Sequence, residues 1–205
     1  MEAVLFDFDG TLADTREADL LAFGRASRSL GIAEDLSLRF GDFEGMPLLQ
    51  RMMAVAPDRG GELLQRMLAY QEPVRLFNGI RMALRSLMER HIPLALVSSR
   101  RSLSLRRELG LLGLTRIFDA IVGLDQVEHP KPDPEALLQA AKLLRLTPGT
   151  CHYVGDTAVD MAAAAAAGMP FVLAQWGARA GLTAPLVART PADLVDLVIQ
   201  AHDGR

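Results

Sequence analysis

Short apolar runs alternate along the chain with segments in which apolar residues recur every three or four positions. Residues 3–6 form one such run, which stops at Asp7 and therefore predicts a buried strand that ends in polar residues. After residue 78 the alternation becomes regular. Strands are predicted over 92–97, 117–122, 151–154 and 170–173, and helices over about 80–91, 102–110, 134–146 and 158–167 and from 191 onward. Strands and helices that alternate in this way indicate an α/β fold with a parallel sheet.

A helical stretch in which we predict no strand interrupts this alternation over residues 14–78. Asp14 and Glu17 have the spacing of a capping box and predict a helix that runs to about Gly31. Two more helices are predicted over 47–56 and 60–72. Their apolar stripe, which we interpret as the core of a small helical module, consists of Leu48, Leu49, Met52, Met53, Leu63, Leu64, Met67 and Leu68. We therefore predict a core domain from residues 1–13 and 79–205 and a helical domain from residues 14–78.

Composition and charge limit the partners and the compartment. The net charge of −3 and the pI of about 5.8 give no basic face for a nucleic acid. We find no signal peptide and no run of about 18 apolar residues, so we expect no membrane partner and a cytoplasmic location. The single Cys151 excludes an intramolecular disulfide, which fits a reducing cytosol. Both a monomer and a homodimer remain open.

The loop after the first predicted strand carries two carboxylates, Asp7 and Asp9, with one residue between them. Carboxylates this close repel each other, and a divalent cation relieves the repulsion. Gly10 allows a sharp turn that aims backbone N–H groups at an anion. Because ligands bind at the carboxyl ends of parallel strands, this loop is the first part of a predicted site.

Three further loops follow predicted strands and carry suitable groups. Ser98 and Ser99 offer hydroxyls and amides to phosphate oxygens. Lys131 lies between two prolines, which stiffen its backbone, and its ammonium can balance a carboxylate and a phosphate together. It is one of two lysines against twenty arginines, an excess that we interpret mainly as coding bias. Asp156 follows strand 151–154, and Asp160 lies one helical turn later on the same face.

In order and spacing these motifs resemble the haloacid dehalogenase (HAD) superfamily of phosphotransferases over nearly the whole chain. The strings that carry the resemblance are DFDGTL at 7–12, the serines at 98–99, the lysine at 131 and GDTAVD at 155–160. The glycine at 168, the Met-Pro pair at 169–170 and the QWG string at 175–177 are similar to the phosphoglycolate phosphatase-like branch. The resemblance implies a Rossmann-like parallel sheet core, with residues 14–78 as the helical C1 cap of that superfamily.

The resemblance also implies a role for each carboxylate. Asp7 would be the nucleophile that forms an aspartyl-phosphate, and Asp9 would be the general acid that then acts as general base. Asp7, the backbone carbonyl of Asp9 and Asp156 would bind Mg²⁺, with Asp160 supporting them.

The phosphoryl oxygens would be bound by Ser98 and Lys131, helped by Ser99 and by the backbone amides of the first loop, which include Gly10 and Thr11. Close relatives often have asparagine where this chain has Ser99. The implied activity is Mg²⁺-dependent hydrolysis of a small phosphorylated metabolite, either phosphoglycolate-like or a sugar phosphate monoester.

Several alternatives use the same fold or a similar site. Dehalogenases lack the second aspartate of the first loop, so Asp9 argues against them. Phosphonate cleavage uses a lysine of the cap, and residues 14–78 contain none. Receiver domains carry no helical insert, and a catalytically inactive binding protein is disfavoured because all four motifs are intact. A sugar phosphomutase of the β-phosphoglucomutase type would use the same site and stays open.

The sequence does not identify the substrate, because the cap would select it. Arg16, Arg39 and the loop at 41–46 are candidates for contacts to the organic part of the substrate. Surface arginines without such a role are at least as common. The insert also predicts hinges near residues 13–15 and 77–80, around which the cap would close.

Overall fold

The computed structural model describes residues 2–32, 43, 45–71 and 73–203, and in this part of the chain a six-stranded sheet forms the centre. Its strands lie in the order β5-β4-β1-β6-β7-β8, and every neighbouring pair is parallel. The predicted α/β fold class is thereby confirmed. The strands are β1 (Ala3–Phe6), β4 (Leu94–Val97), β5 (Ala120–Val122), β6 (Cys151–Gly155), β7 (Phe171–Ala174) and β8 (Leu186–Ala188).

Helices cover both faces of this sheet, because alternate side chains of each strand point to opposite faces. Val4 and Phe6 belong to one buried apolar cluster, and Ala3 and Leu5 belong to another. The helices are α4 (Ile80–Glu89), α5 (Ser102–Leu111), α6 (Glu135–Leu144), α7 (Ala158–Ala167) and α8 (Pro191–Asp203). Helix α7 buries alanines against the sheet and ends at Gly168, whose φ of 66° is left-handed, as its sequence predicts.

In the described part of the chain between the first two core strands, three helices bury side chains among themselves. They are α1 (Arg16–Ser29), α2 (Leu48–Val55) and α3 (Gly60–Ala69). We call these helices and their described connections the cap. Its separate buried cluster contains Ala22, Phe23, Ala26, Met52, Val55, Leu63 and Met67. The division into two domains, with boundaries at residues 13–14 and 78–79, stays a prediction.

The prediction that residues 14–78 contain no strand is wrong. The chain enters and leaves the cap through β2 (Ala13–Asp14) and β3 (Arg75–Leu76), which pair antiparallel. A two-residue strand shows no alternation of polar and apolar positions, so the pattern could not reveal it. The strand β8 is also missing from the prediction.

The predicted capping box at the start of α1 is wrong as well. The helix begins after Thr15, whose side chain makes no capping hydrogen bond. Asp14 lies in β2 opposite Arg75, where the strand pairing determines its backbone conformation. Tertiary pairing therefore overrides a local helix-start signal.

The assignment of the whole Leu and Met stripe to the cap core is only partly right. Met52, Leu63 and Met67 are buried in the cap cluster, whereas Leu49 and Leu68 are 49% and 52% exposed. An amphipathic helix needs only one face for its own core, so part of the stripe points elsewhere. In the described ranges, no helix has the length and apolar character needed to cross a membrane.

Candidate active site

The carboxyl edge of the sheet brings together the predicted acidic residues. Strands β1 and β6 are neighbours in register, and the backbone N–H of Asp7 donates to the carbonyl of Val154 at 2.9 Å. This pairing places Asp7 beside the loop that carries Asp156 and Asp160. One carboxylate oxygen from each of the three lies within 4.8 Å of the others, and all three residues are buried. The sheet therefore assembles a buried cluster of three carboxylates.

Lys131 provides the positive charge of this cluster. Its Nζ donates to Asp7 Oδ1 at 2.9 Å, to Asp160 Oδ1 at 2.7 Å and to the Tyr153 hydroxyl at 2.9 Å. The side chain is only 3% exposed. Burial alone would lower the pKa of Lys131, but Asp160 and Asp7 raise it well above its usual value. The lysine therefore stays charged and fixes two of the three carboxylates.

Asp160 uses both of its oxygens inside the protein. Oδ1 accepts from Lys131 and from the Tyr153 hydroxyl, and Oδ2 accepts from the backbone N–H and the hydroxyl of Thr157. Thr157 is the N-cap of α7, and its Oγ1 in turn accepts from the Asp160 N–H at 3.2 Å. Asp160 thus orients Lys131, whereas the predicted support of the metal ligands by Asp160 stays a prediction.

Asp156 is held against the first loop. Thr11 Oγ1 donates to Asp156 Oδ1 at 3.0 Å, and Gly10 has a left-handed φ of +76°. A Cβ atom at Gly10 would overlap the Asp156 carboxylate. The loop is secured from outside by Trp176, whose Nε1 donates to the carbonyl of Thr11 at 2.9 Å. The glycine is therefore required by close approach as well as by backbone conformation.

The donor set fits a divalent cation. Among the described residues, Asp7 and Asp156 each accept hydrogen bonds through Oδ1 alone, so each has Oδ2 for another partner. Burial raises the pKa of Asp7 to about 7, against the effect of Lys131, and burial raises the pKa of Asp156 well above its usual range. Three carboxylates face one ammonium, so a cation with oxygen ligands would balance the excess charge.

Asp9 is paired with an arginine that the sequence analysis missed. Arg100 Nε donates to Asp9 Oδ1 and Oδ2 at 3.0 and 2.8 Å, and its Nη2 donates to Oδ1 at 2.6 Å. Burial alone would raise the pKa of Asp9, but the Arg100 guanidinium holds it below its usual value. The side chain of Asp9 lies outside the three-carboxylate group, and the metal bond predicted for its backbone carbonyl stays a prediction.

The position of Arg100 at the carboxyl end of β4 was the available signal. Arg100 follows Ser98 and Ser99 directly. The chain has twenty arginines, however, and the sequence does not distinguish this one from the others. Tyr153 was missed for a different reason, because a tyrosine inside a buried strand looks like ordinary core.

The two serines after β4 serve the loop itself and the cap. Ser98 is buried, and its Oγ accepts from the backbone N–H of Arg100 at 3.1 Å. Ser99 Oγ donates to the carbonyl of Gly45 in the cap at 3.1 Å. Their predicted contacts to phosphate, like those of Gly10, Thr11 and Lys131, stay predictions.

Within the described residues, Asp9 lines two cavities. The first, of about 340 Å³, is lined mainly by polar residues, among them Arg16, whose Nη2 donates to the carbonyl of Gly177 at 2.9 Å. The second, of about 450 Å³, lies between the Ser99–Lys131 side of the core and the leucines of the cap. Of the other predicted substrate contacts, Arg39 lies outside the described residues, and the loop at 41–46 is described only at positions 43, 45 and 46.

This sheet order and this buried cluster define a HAD-type hydrolase. The family profile described as haloacid dehalogenase-like hydrolase matches residues 4–174. The chain therefore belongs to the haloacid dehalogenase-like hydrolases.

Similar proteins narrow the class to phosphatases. The phosphoglycolate phosphatase of Xylella fastidiosa is 36% identical over 186 residues, which cover 86% of this chain and 81% of that protein. The phosphorylated carbohydrates phosphatase of Thermotoga maritima is 33% identical over 181 residues and 82% of each chain. The crystal structure of a HAD-superfamily hydrolase of subfamily IA from Geobacter sulfurreducens has a TM-score of 0.75 at 27% identity and covers 97% of this chain and 96% of its own. The chain is a HAD-family phosphatase of the phosphoglycolate phosphatase type.

Proposed function

We propose that the protein is a Mg²⁺-dependent phosphatase that hydrolyses a small phosphorylated metabolite through an aspartyl-phosphate on Asp7. The observation that carries this proposal is the position of Asp7. Its carboxylate is buried, bonded through Oδ1 to Lys131, and next to Asp156. A nucleophile, a cationic side chain and oxygen ligands for a metal thus meet at one carboxylate. The names of the relatives support a phosphate monoester as substrate.

The chemistry follows from this arrangement. One carboxylate oxygen of Asp7 forms a bond to phosphorus while the bond from phosphorus to the ester oxygen breaks. Mg²⁺, bound by Asp7 and Asp156, would reduce the repulsion between the phosphoryl group and these carboxylates. Lys131 neutralises charge on the transferring group, and Asp160 and Tyr153 keep its ammonium in place. Ser98 and the backbone amides of the first loop orient the phosphoryl oxygens.

Asp9 moves the protons in both half-reactions. Its protonated form gives a proton to the leaving oxygen, and the resulting carboxylate takes one from the water that attacks the aspartyl-phosphate. The product is inorganic phosphate, and Asp7 is regenerated. Arg100 binds both oxygens of Asp9 and lowers its pKa, so the Asp9 side chain must leave this contact in order to be protonated and act as the acid.

The test is phosphate release from a panel of phosphorylated compounds, with Mg²⁺ or with EDTA. The panel contains phosphoglycolate, sugar phosphates, nucleoside monophosphates and pyrophosphate. We expect turnover that needs Mg²⁺, disappears in Asp7→Asn and survives in Asp58→Asn, a matched change at an exposed aspartate. No release from any compound by the folded protein would contradict the proposal. Conversion of a sugar phosphate to its isomer without release would favour the phosphomutase instead.

The remaining expectations stay predictions. They are the absence of a nucleic-acid or membrane partner, a monomeric or homodimeric state and a cytoplasmic location.

A further inference from the structure

The second cavity indicates what kind of alcohol the phosphate is attached to, an inference that rests on the proposed function. We call this space of about 450 Å³ the leucine cavity, and a volume of this size is typical of a small-molecule site. Asp7 and Lys131 line it on the core side. The phosphoryl group would therefore lie at one end of the cavity, and the rest of the substrate would occupy the remainder.

The cap supplies an apolar wall to this cavity. Helices α2 and α3, with the residue two positions before α2, contribute Met46, Leu48, Leu49, Leu64 and Leu68. Leu49 and Leu68 are about half exposed, although the same helices bury Met52, Leu63 and Met67 in the cap cluster. The apolar stripe is thus wider than the cap core requires, and its surplus leucines converge on one space next to the nucleophile.

Two charged groups of the lining, Arg100 and Arg51, are already engaged, whereas the exposed Arg101 lines the cavity on its core side together with Ser104. Arg100 is bonded to both oxygens of Asp9, and Arg51 Nη1 lies 3.9 Å from Asp19 Oδ2. A carboxylate on the substrate would compete with Asp9 and Asp19 for these guanidiniums. It would also lie close to the negative charges of Asp7, Asp9 and Asp19. A sugar would place hydroxyls against leucines that offer no hydrogen bonds, which costs free energy. The leucine wall of the cap therefore disfavours a polar organic group that lies against it.

We propose that the preferred substrate is a phosphate monoester whose organic part is apolar, an alkyl or aryl alcohol that packs against the leucines of α2 and α3. The cap then selects its substrate by burial of apolar surface, with few directional contacts. Phosphoglycolate, with two carbons and a carboxylate, would leave most of the leucine cavity unfilled.

The first test measures kcat/KM for straight-chain alkyl phosphates from ethyl to octyl, with phosphoglycolate as the polar comparison. We expect kcat/KM to rise about three- to fourfold per added methylene until the cavity is full, since each buried methylene contributes a roughly constant transfer free energy. Hexyl phosphate should exceed phosphoglycolate. A flat series with phosphoglycolate as the best substrate would overturn the inference and leave the proposed function intact.

Two variants locate the effect. Leu49→Gln and Leu68→Gln replace half-exposed side chains, so the fold should tolerate them, and each should flatten the chain-length series. Met53→Gln is the matched control, because Met53 is on the same helix as Leu49, is 46% exposed and does not line the cavity. An equal loss in Met53→Gln would contradict the assignment to the leucine cavity.

A binding measurement separates this inference from the proposed reaction. Asp7→Asn is titrated with methyl-, butyl- and hexylphosphonate in Mg²⁺ by calorimetry. Affinity that increases with chain length and is lost in Leu68→Gln supports the leucine cavity even if no compound is hydrolysed. Equal affinity for all three phosphonates overturns the inference, whatever the turnover experiments show.

Discussion

Gly10 shows how a single missing side chain shapes the site. A Cβ atom there would overlap the carboxylate that Thr11 holds in place, and the backbone is left-handed. We predict that Gly10→Ala displaces Asp156 and raises the Mg²⁺ concentration for half-maximal activity by about tenfold or more, as losses of ligand orientation do. The measurement is phosphate release as a function of Mg²⁺ concentration.

Gly31→Ala is the control that separates the cost of a left-handed backbone from the overlap with Asp156. Gly31 also has a left-handed φ, of +64°, but a Cβ atom there meets nothing within 4 Å. Both variants should therefore carry the same backbone cost of about 1 kcal/mol in unfolding free energy. If Gly31→Ala raised the Mg²⁺ concentration for half-maximal activity as much as Gly10→Ala does, displacement of Asp156 would be refuted as the cause.

Lys131 is the second residue whose loss has a defined consequence. Lys131→Met removes the ammonium from among three buried carboxylates, so we predict a loss of about 3 kcal/mol in unfolding free energy together with the loss of turnover. Urea unfolding measures the first and phosphate release the second. The other lysine gives the control, since Lys142 is exposed on α6 and Lys142→Met should be neutral in both. A Lys131→Met protein as stable as wild type would contradict the electrostatic account.

At the scale of single residues, the sequence could predict the groups in loops that follow strands. Asp7, Lys131 and Asp156 are charged groups of a kind that catalytic loops use and that most connecting loops do not require. The carboxyl ends of parallel strands meet at one edge of the sheet, so these groups are brought together there. It could not predict that Arg100 binds Asp9, because a pairing between two loops leaves no spacing to recognise. The same limit applies to the bond between Ser99 and the cap.

Helix α5 illustrates stabilisation that comes from outside the element. The backbone N–H of Ser102, the first residue of the helix, donates to Asp125 Oδ1 at 2.6 Å. The Ser102 hydroxyl donates to Asp125 Oδ2 at 2.8 Å. These bonds hold the pKa of Asp125 below its usual value of 3.8, chiefly through the backbone N–H of Ser102. A carboxylate from another loop thus satisfies the helix start.

The lowered pKa gives this contact a pH dependence with a definite sign. The carboxylate form is favoured in the folded state, so its contribution is fully present above the unfolded pKa and is lost as the pH falls through the folded one. We predict that Asp125→Asn costs about 0.5 kcal/mol at pH 7, and that the difference from wild type shrinks below pH 3.8. Urea midpoints at several pH values measure it, with Asp58→Asn as the exposed control. A difference that stays constant into acid would exclude the charge as its cause.

The described helices and strands of four or more residues were all predicted, with bounds that differ by a few residues. The helix over 158–167 matches Ala158–Ala167, because it has a capping residue, small buried alanines and a terminal glycine. The two-residue strands β2 and β3 and the three-residue β8 were not predicted, because their pairing and not their pattern creates them. The stripe of α2 and α3 was recognised, but periodicity alone cannot tell which apolar edge faces a core and which faces a cavity.

At the scale of the whole molecule, the cap and the core touch across the site. Ser99 donates to the carbonyl of Gly45, and a Cβ atom at Gly45 would press on Thr157 and Val159. We predict that the cap opens to admit substrate and that ligand favours the closed arrangement. Spin labels introduced by Arg66→Cys on α3 and Leu138→Cys on α6 would report the distance, since both positions are exposed and Cys151 is buried.

The expected result is a shorter and narrower distance distribution after Mg²⁺ and vanadate are added. A pair placed entirely in the core, Leu111→Cys on α5 with Leu138→Cys, should not change. Identical cap-to-core distributions with and without vanadate would rule out closure and with it the hinges predicted near residues 13–15 and 77–80.

The pairing of β2 with β3 limits what such a motion can be. The two chain crossings lie side by side, and the N–H of Phe77 also donates to the carbonyl of Leu12 at 3.0 Å. Two independent linkers would allow the cap helices to translate, twist and tilt relative to the core. Two crossings that are hydrogen-bonded to each other act as a single hinge. We therefore expect the cap to rotate about a single axis that runs through this ribbon. Residues that stiffen the ribbon should then slow the opening of the cap and the release of product.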